Sequence, residues 1–161
     1  MYKEIYLFRG TPGESYADFS QWIKNLAQTM AENRSFRNVR LVYTAEAPPA
    51  LSVIPFRKQK AATLSLIKEV DHPEAFLVSQ PGFSGGYRVT EAIPIGNTKT
   101  WNDGEQTPGA CLLTLFNRRK GLDYATFIDR WHNSHTPLSL KIHPLWNYNR
   151  NVVDSTVTKT S

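Results

Sequence analysis

The apolar positions in the first hundred residues change period in a regular order. Glu4–Phe8 reads as a short strand, followed by a turn through Gly10, Pro12 and Gly13. Ser15 then occupies a helix N-cap position, with Asp18 three residues on as its capping-box partner. Tyr16, Phe19, Trp22, Ile23, Leu26 and Met30 recur at helical spacing, so the helix has one apolar face and ends near Asn33. Val39–Thr44 alternates as a second strand, and the Pro-rich Ala47–Pro55 is a connection or a bulged edge. Ala62–Val70 is a third strand, with Leu64, Leu66 and Lys68 on one face. Asp71–Gln80 is a short helix capped by Asp71, Pro81–Gly86 a turn, and Tyr87–Ile95 a fourth strand.

This β-α-β-β-α-β order predicts an α+β chain of the ferredoxin-like kind, with an antiparallel sheet. The polar, Gly- and Pro-bearing stretch 97–108 is then a linker between a first unit, 1–96, and a second, 109–161. The second begins as the first does. Leu7-Phe8 is followed by Tyr16-Ala17-Asp18-Phe19, and Leu115-Phe116 by Tyr124-Ala125-Thr126-Phe127, at a constant offset of 108 positions. Gly13 falls opposite Gly121 and Ser15 opposite Asp123, so turn and N-cap share the register. Cys111–Phe116, nearly all apolar, is expected to be a strand covered on both faces. Tyr124, Phe127, Ile128, Trp131 and Leu138 follow at helical spacing, and His135 is expected to look toward the core beside them. Trp146–Val153 would be the second strand of this unit, and nothing later matches the rest. The second unit therefore reads as partial, to be completed by the first half, by another chain, or by residues not in this sequence.

Composition narrows the picture only a little. The chain has 161 residues, 40% of them hydrophobic, enough for a core. A net charge of +5 is spread over separate small clusters, Arg37/Arg40, Arg57–Lys60 and Arg118–Lys120, and no long basic block suggests nucleic acid. The single cysteine, Cys111, excludes an internal disulfide and reads as core filler. No signal peptide or membrane span is legible, and cytoplasmic location is the expectation. There is no phosphate loop, nucleophile elbow or dinucleotide fingerprint.

The run Leu115-Phe116-Asn-Arg-Arg-Lys-Gly121, the spacing Phe127, Trp131, His135-Thr-Pro-Leu138, and Tyr148 beyond it resemble the EthD family. The match covers about 40 residues of the second unit, and the first unit lacks the histidine box. The resemblance implies a dimeric α/β-barrel-type assembly of ferredoxin-like units, hence a homodimer. It also implies a small-ligand protein of catabolic or secondary metabolism. Known members range from an auxiliary role in ether degradation to dehydratases or cyclases of polyketide-derived aromatics, and fold alone does not choose among them.

Beside that resemblance, the residues themselves offer one line of chemistry. An imidazole at His135 on an apolar face suits a general base that removes a proton next to a carbonyl, with His132 and Tyr148 assisting. Trp131, Phe116 and Phe127 would wall the cavity, with Asn147 and Arg118 as polar ligand contacts. The reaction would be a cofactor-free cyclisation, dehydration or oxygenation. The alternative is an accessory protein whose sheet serves dimerisation and whose His135 merely bonds a backbone carbonyl. His132, His135 and His143 lack a carboxylate at ligand spacing, so neither metal nor haem is expected.

Overall fold

A computed structural model of the chain describes residues 1–49, 59–69 and 75–158. Five strands form one sheet in the order β2-β3-β1-β4-β5. They are β1 (Tyr2–Arg9), β2 (Phe36–Tyr43), β3 (Ala61–Lys68), β4 (Phe83–Ile95) and β5 (Tyr148–Thr158). The β1–β3, β1–β4 and β2–β3 pairings are antiparallel. Helices α1 (Tyr16–Glu32) and α2 (Ala75–Val78) complete the order β1-α1-β2-β3-α2-β4. With β3 lying between β1 and β2, this is the split βαβ arrangement of ferredoxin-like folds, so the expected α+β class holds for the first unit.

Local chemistry sets the elements much as the pattern implies. The Ser15 hydroxyl accepts from the Asp18 amide at 3.0 Å and donates to the Asp18 carboxylate at 2.6 Å, which satisfies one of the first free N–H groups of α1. Asn33 is the C-cap. Phe19, Ile23, Leu26 and Met30, one face of α1, are buried. They share one core with Tyr6 and Phe8 of β1 and Ala62, Leu64 and Leu66 of β3. Each such fully buried side chain stabilises the fold by about 1.5–3 kcal/mol. Phe8 meets Trp22 and Phe83 edge-on, at centroid distances of 5.8 and 6.1 Å. Between β1 and β4, Gly82 turns the chain at φ +75°, where a Cβ would overlap the Arg9 carbonyl oxygen. The Arg9 amide donates to the Gly82 carbonyl at 2.7 Å across the same gap. Asp71, the expected cap of α2, lies outside the described residues.

Several expectations are corrected. β4 begins at Phe83, so Phe83–Gly86 is strand where a turn was expected. Gly85 and Gly86 pair with Leu7 and Tyr6 at buried positions, and having no side chains they leave no alternating pattern to announce the strand. Cys111–Phe116 is not a buried strand: it joins no sheet among the described residues, and Leu112, Leu113, Leu115 and Phe116 are 67%, 48%, 68% and 53% exposed. Cys111 is exposed too, not core filler. An apolar run becomes a strand only where a neighbour accepts its backbone hydrogen bonds, and here β5, the one strand beyond the linker among the described residues, sits beside β4 instead.

The chain accordingly divides into two compact units that differ from the expected 1–96 and 109–161. One comprises 1–91 and 151–161, the other 92–150. Among the described residues no helix is long and apolar enough to cross a membrane.

Candidate functional site

All the site residues named from sequence belong to the unit 92–150. Its helical segment starts at Asp123, whose carboxylate accepts from the Thr126 amide at 2.8 Å, the cap expected from the spacing. These bonds hold the Asp123 carboxyl below the usual carboxylate range. The helix is not continuous. α3 (Tyr124–Asp129) passes into a π-helical turn, Arg130–His135, and then into α4 (Thr136–Ile142). The Thr136 amide and hydroxyl both reach the Trp131 carbonyl, the hydroxyl at 2.8 Å. Single π turns inside helices recur at functional sites, because the widened turn re-aims the side chains it carries. This one carries both histidines.

The two rings differ in exposure. His135 is exposed, and its Nδ1 lies 3.3 Å from the Ser139 hydroxyl. The inward-looking imidazole expected there is therefore absent, since the extra residue in the turn rotates position 135 off the apolar face. His132 is half-buried instead, and its Nε2 is shielded from solvent with no hydrogen-bond partner among the described residues. Burial, and secondarily the positive charge of Arg150, push its pKa below 6.5, so the ring is neutral at pH 7.

The three aromatic side chains named from sequence meet one another. Phe116, Phe127 and Trp131 pack mutually, with centroids 6.1 Å (Phe116–Phe127), 5.0 Å (Phe116–Trp131) and 5.7 Å (Phe127–Trp131) apart. The His132 ring lies 5.7 Å from that of Trp131. Of the polar contacts proposed, Asn147 is exposed, Tyr148 is half-buried at the start of β5, and Arg118 is exposed with its guanidinium on the Leu122 carbonyl. None is seen bonded to either histidine.

Sequence reasoning missed Arg150, which follows Tyr148 by two residues on the same strand and face. Its Nη1 donates to the Thr136 hydroxyl at 2.9 Å, and its buried Nε has no partner among the described residues. The alternation through Tyr148 and Arg150 was a usable signal. This unit thus holds an imidazole nitrogen, with its ring 5.7 Å from that of Trp131, and a guanidinium N–H, both out of water and both without a partner among the described residues. Among the described residues no group of three or more His, Cys, Asp or Glu is placed to hold a metal ion.

A second polar cluster, in the other unit, was also missed. Glu4 and Lys68 are fully buried, with Nζ 2.7 Å from Oε2, and the Tyr6 hydroxyl donates to the same oxygen at 2.7 Å. Arg88 lies 3.6 Å from the other carboxylate oxygen and stacks 4.1 Å over the Tyr2 ring. A shallow open cleft on this unit, lined by Trp22, Asn25, Leu26, Thr29, Phe76 and Gln80, touches none of these charged groups. Comparison with protein-family models, with curated proteins and with solved structures gives no match.

Proposed function

We propose that the chain binds a small, mostly apolar aromatic or carbonyl ligand and moves a proton on it with His132 as the general base. The observation that carries this reading is the shielded, unpartnered Nε2 of His132 on a π-helical turn. A ring kept neutral by burial is a competent proton acceptor near pH 7. Arg150 is suited to hold the oxygen on which negative charge develops, whether enolate or phenolate, and Phe116, Phe127 and Trp131 to take the ring. The EthD-like box therefore works through its upstream histidine: His135, exposed against Ser139, keeps a positioning role at most. In a cyclisation or dehydration the protonated His132 would return its proton to the alkoxide formed or to the departing hydroxyl, which leaves as water, so neither reaction needs a cofactor.

The test is deuterium exchange at the activated carbon of aryl 1,3-diketones, followed by NMR with wild-type protein, His132→Gln, Arg150→Gln and His135→Gln. Catalysed exchange should fall at least tenfold in the first two and persist in the third. Equal loss in His135→Gln, or exchange indifferent to His132, refutes the assignment.

A second reading is favoured by a separate observation. The exposed apolar run Leu112–Phe116 is what an accessory protein that works by self-assembly would present.

A further inference from the structure

The π turn closes on one side chain. Its ladder ends at Thr136, whose amide donates to the Trp131 carbonyl, because Pro137 comes next and has no N–H to continue it. The Thr136 hydroxyl donates to the same carbonyl at 2.8 Å. It also accepts from Arg150 Nη1 at 2.9 Å. Thr136 is 5% exposed, so both bonds are largely protected from competing water. A β-branched side chain is stiff at χ1, which fixes where that oxygen stands.

The groups that this oxygen joins give it more than a part in packing. The Trp131 ring meets Phe116 and Phe127, with centroids 5.0 and 5.7 Å away, and the residue after Trp131 is His132. Arg150 comes from β5, and its charge is felt at the His132 ring. A guanidinium is a planar fork, so holding Nη1 also restrains the direction of its shielded Nε–H, which has no partner among the described residues. Such a donor assists a reaction to the extent that its place is set before charge develops.

We propose that Thr136 is the positioning residue of this site, its hydroxyl holding the Arg150 guanidinium against the π turn that carries His132. The role rests on the assignment of His132 and Arg150 to the proton transfer, and adds what keeps the two in place. Removing the hydroxyl releases the guanidinium while the amide of residue 136 still holds the Trp131 carbonyl, so the turn and its aromatic side chains stand. Ligand binding by the aromatics persists, and the loss falls on the step in which the ligand oxygen gains charge.

Thr136→Val keeps the volume and the branching but lacks the hydroxyl, and Thr136→Ser restores it. In isotope-labelled full-length protein the Arg150 Nε–H is the NMR resonance that Arg150→Gln removes. Its exchange with solvent should accelerate about tenfold in Thr136→Val, the worth of one hydrogen bond to a charged group, and return close to the wild-type rate in Thr136→Ser. In deuterium exchange on an aryl 1,3-diketone, Thr136→Val should lower kcat about five- to tenfold, less than outright loss of an oxyanion donor, with KM nearly unchanged. Thr136→Ser should recover most of that kcat. If far-UV circular dichroism shows Thr136→Val unfolded, Thr136→Ala removes the same hydroxyl with room to spare and replaces it. A wild type without turnover overturns the functional reading and this role with it. Wild-type turnover beside an Nε–H exchange rate or a kcat indifferent to Thr136→Val overturns the positioning role alone, and so does a loss that Thr136→Ser fails to restore.

Discussion

Replacing Lys68 by Met tests the buried charge cluster most directly. Glu4 and Lys68 are both inaccessible to water, and their 2.7 Å contact is joined by the Tyr6 hydroxyl. Lys68→Met keeps most of the volume but leaves the Glu4 carboxylate deep in the fold. Removing one partner of a buried pair costs about 3–5 kcal/mol. Arg88 stands 3.6 Å from the other oxygen and is 22% exposed, so it compensates in part and sets the expectation at the lower end, about 3 kcal/mol. For a chain of this length that is a fall in Tm of roughly 6–12 °C. The double variant Glu4→Leu/Lys68→Met removes both charges. Its remaining defects are the Glu4 oxygens lost to the Tyr6 hydroxyl and to the partly exposed Arg88 guanidinium, together about 1–3 kcal/mol. The double variant should therefore be more stable than Lys68→Met alone. Urea unfolding with linear extrapolation measures both, and unchanged m-values would confirm a pure stability effect. A single variant within 1 kcal/mol of wild type, or a double variant no better than the single, would refute the argument that the pair is held by mutual neutralisation in a dry site.

Other outcomes follow from single residues. Gly82→Ala combines a left-handed backbone with overlap on the Arg9 carbonyl, so it should cost more than about 1–2 kcal/mol, read as a lowered Tm. Ser15→Ala removes the α1 cap and should cost about 1 kcal/mol in urea unfolding. His132 has a folded pKa below 6.5, so the unfolded chain binds its proton first as pH falls. The stability associated with its neutral ring is complete above pH 6.5 and is lost on acidification toward the folded pKa. His132→Gln should flatten the stability profile in that window, and a slope unchanged by the substitution would show that the ring is not shielded.

The local pattern of the sequence was sufficient for every feature set within a few residues. The caps at Ser15 and Asp123, the apolar face of α1 and the β-α-β-β-α-β order all depend on neighbours in the chain, so spacing alone reveals them. Even the inward placement of Lys68 was legible, since it alternates with Leu64 and Leu66. What it meets there was not, because Glu4 is 64 positions away and only the β1–β3 register brings the two together. The same limit explains Cys111–Phe116, whose apolar character is local while its burial depends on a neighbour that β5 does not supply. It explains the histidines too. A regular helix would turn His135 inward, but the π turn at Arg130–His135 adds a residue to the turn, and His132 is the half-buried ring instead. Periodicity reports which residues would share a side of an ideal element. Only the folded chain decides whether the element stays ideal and what stands against that side.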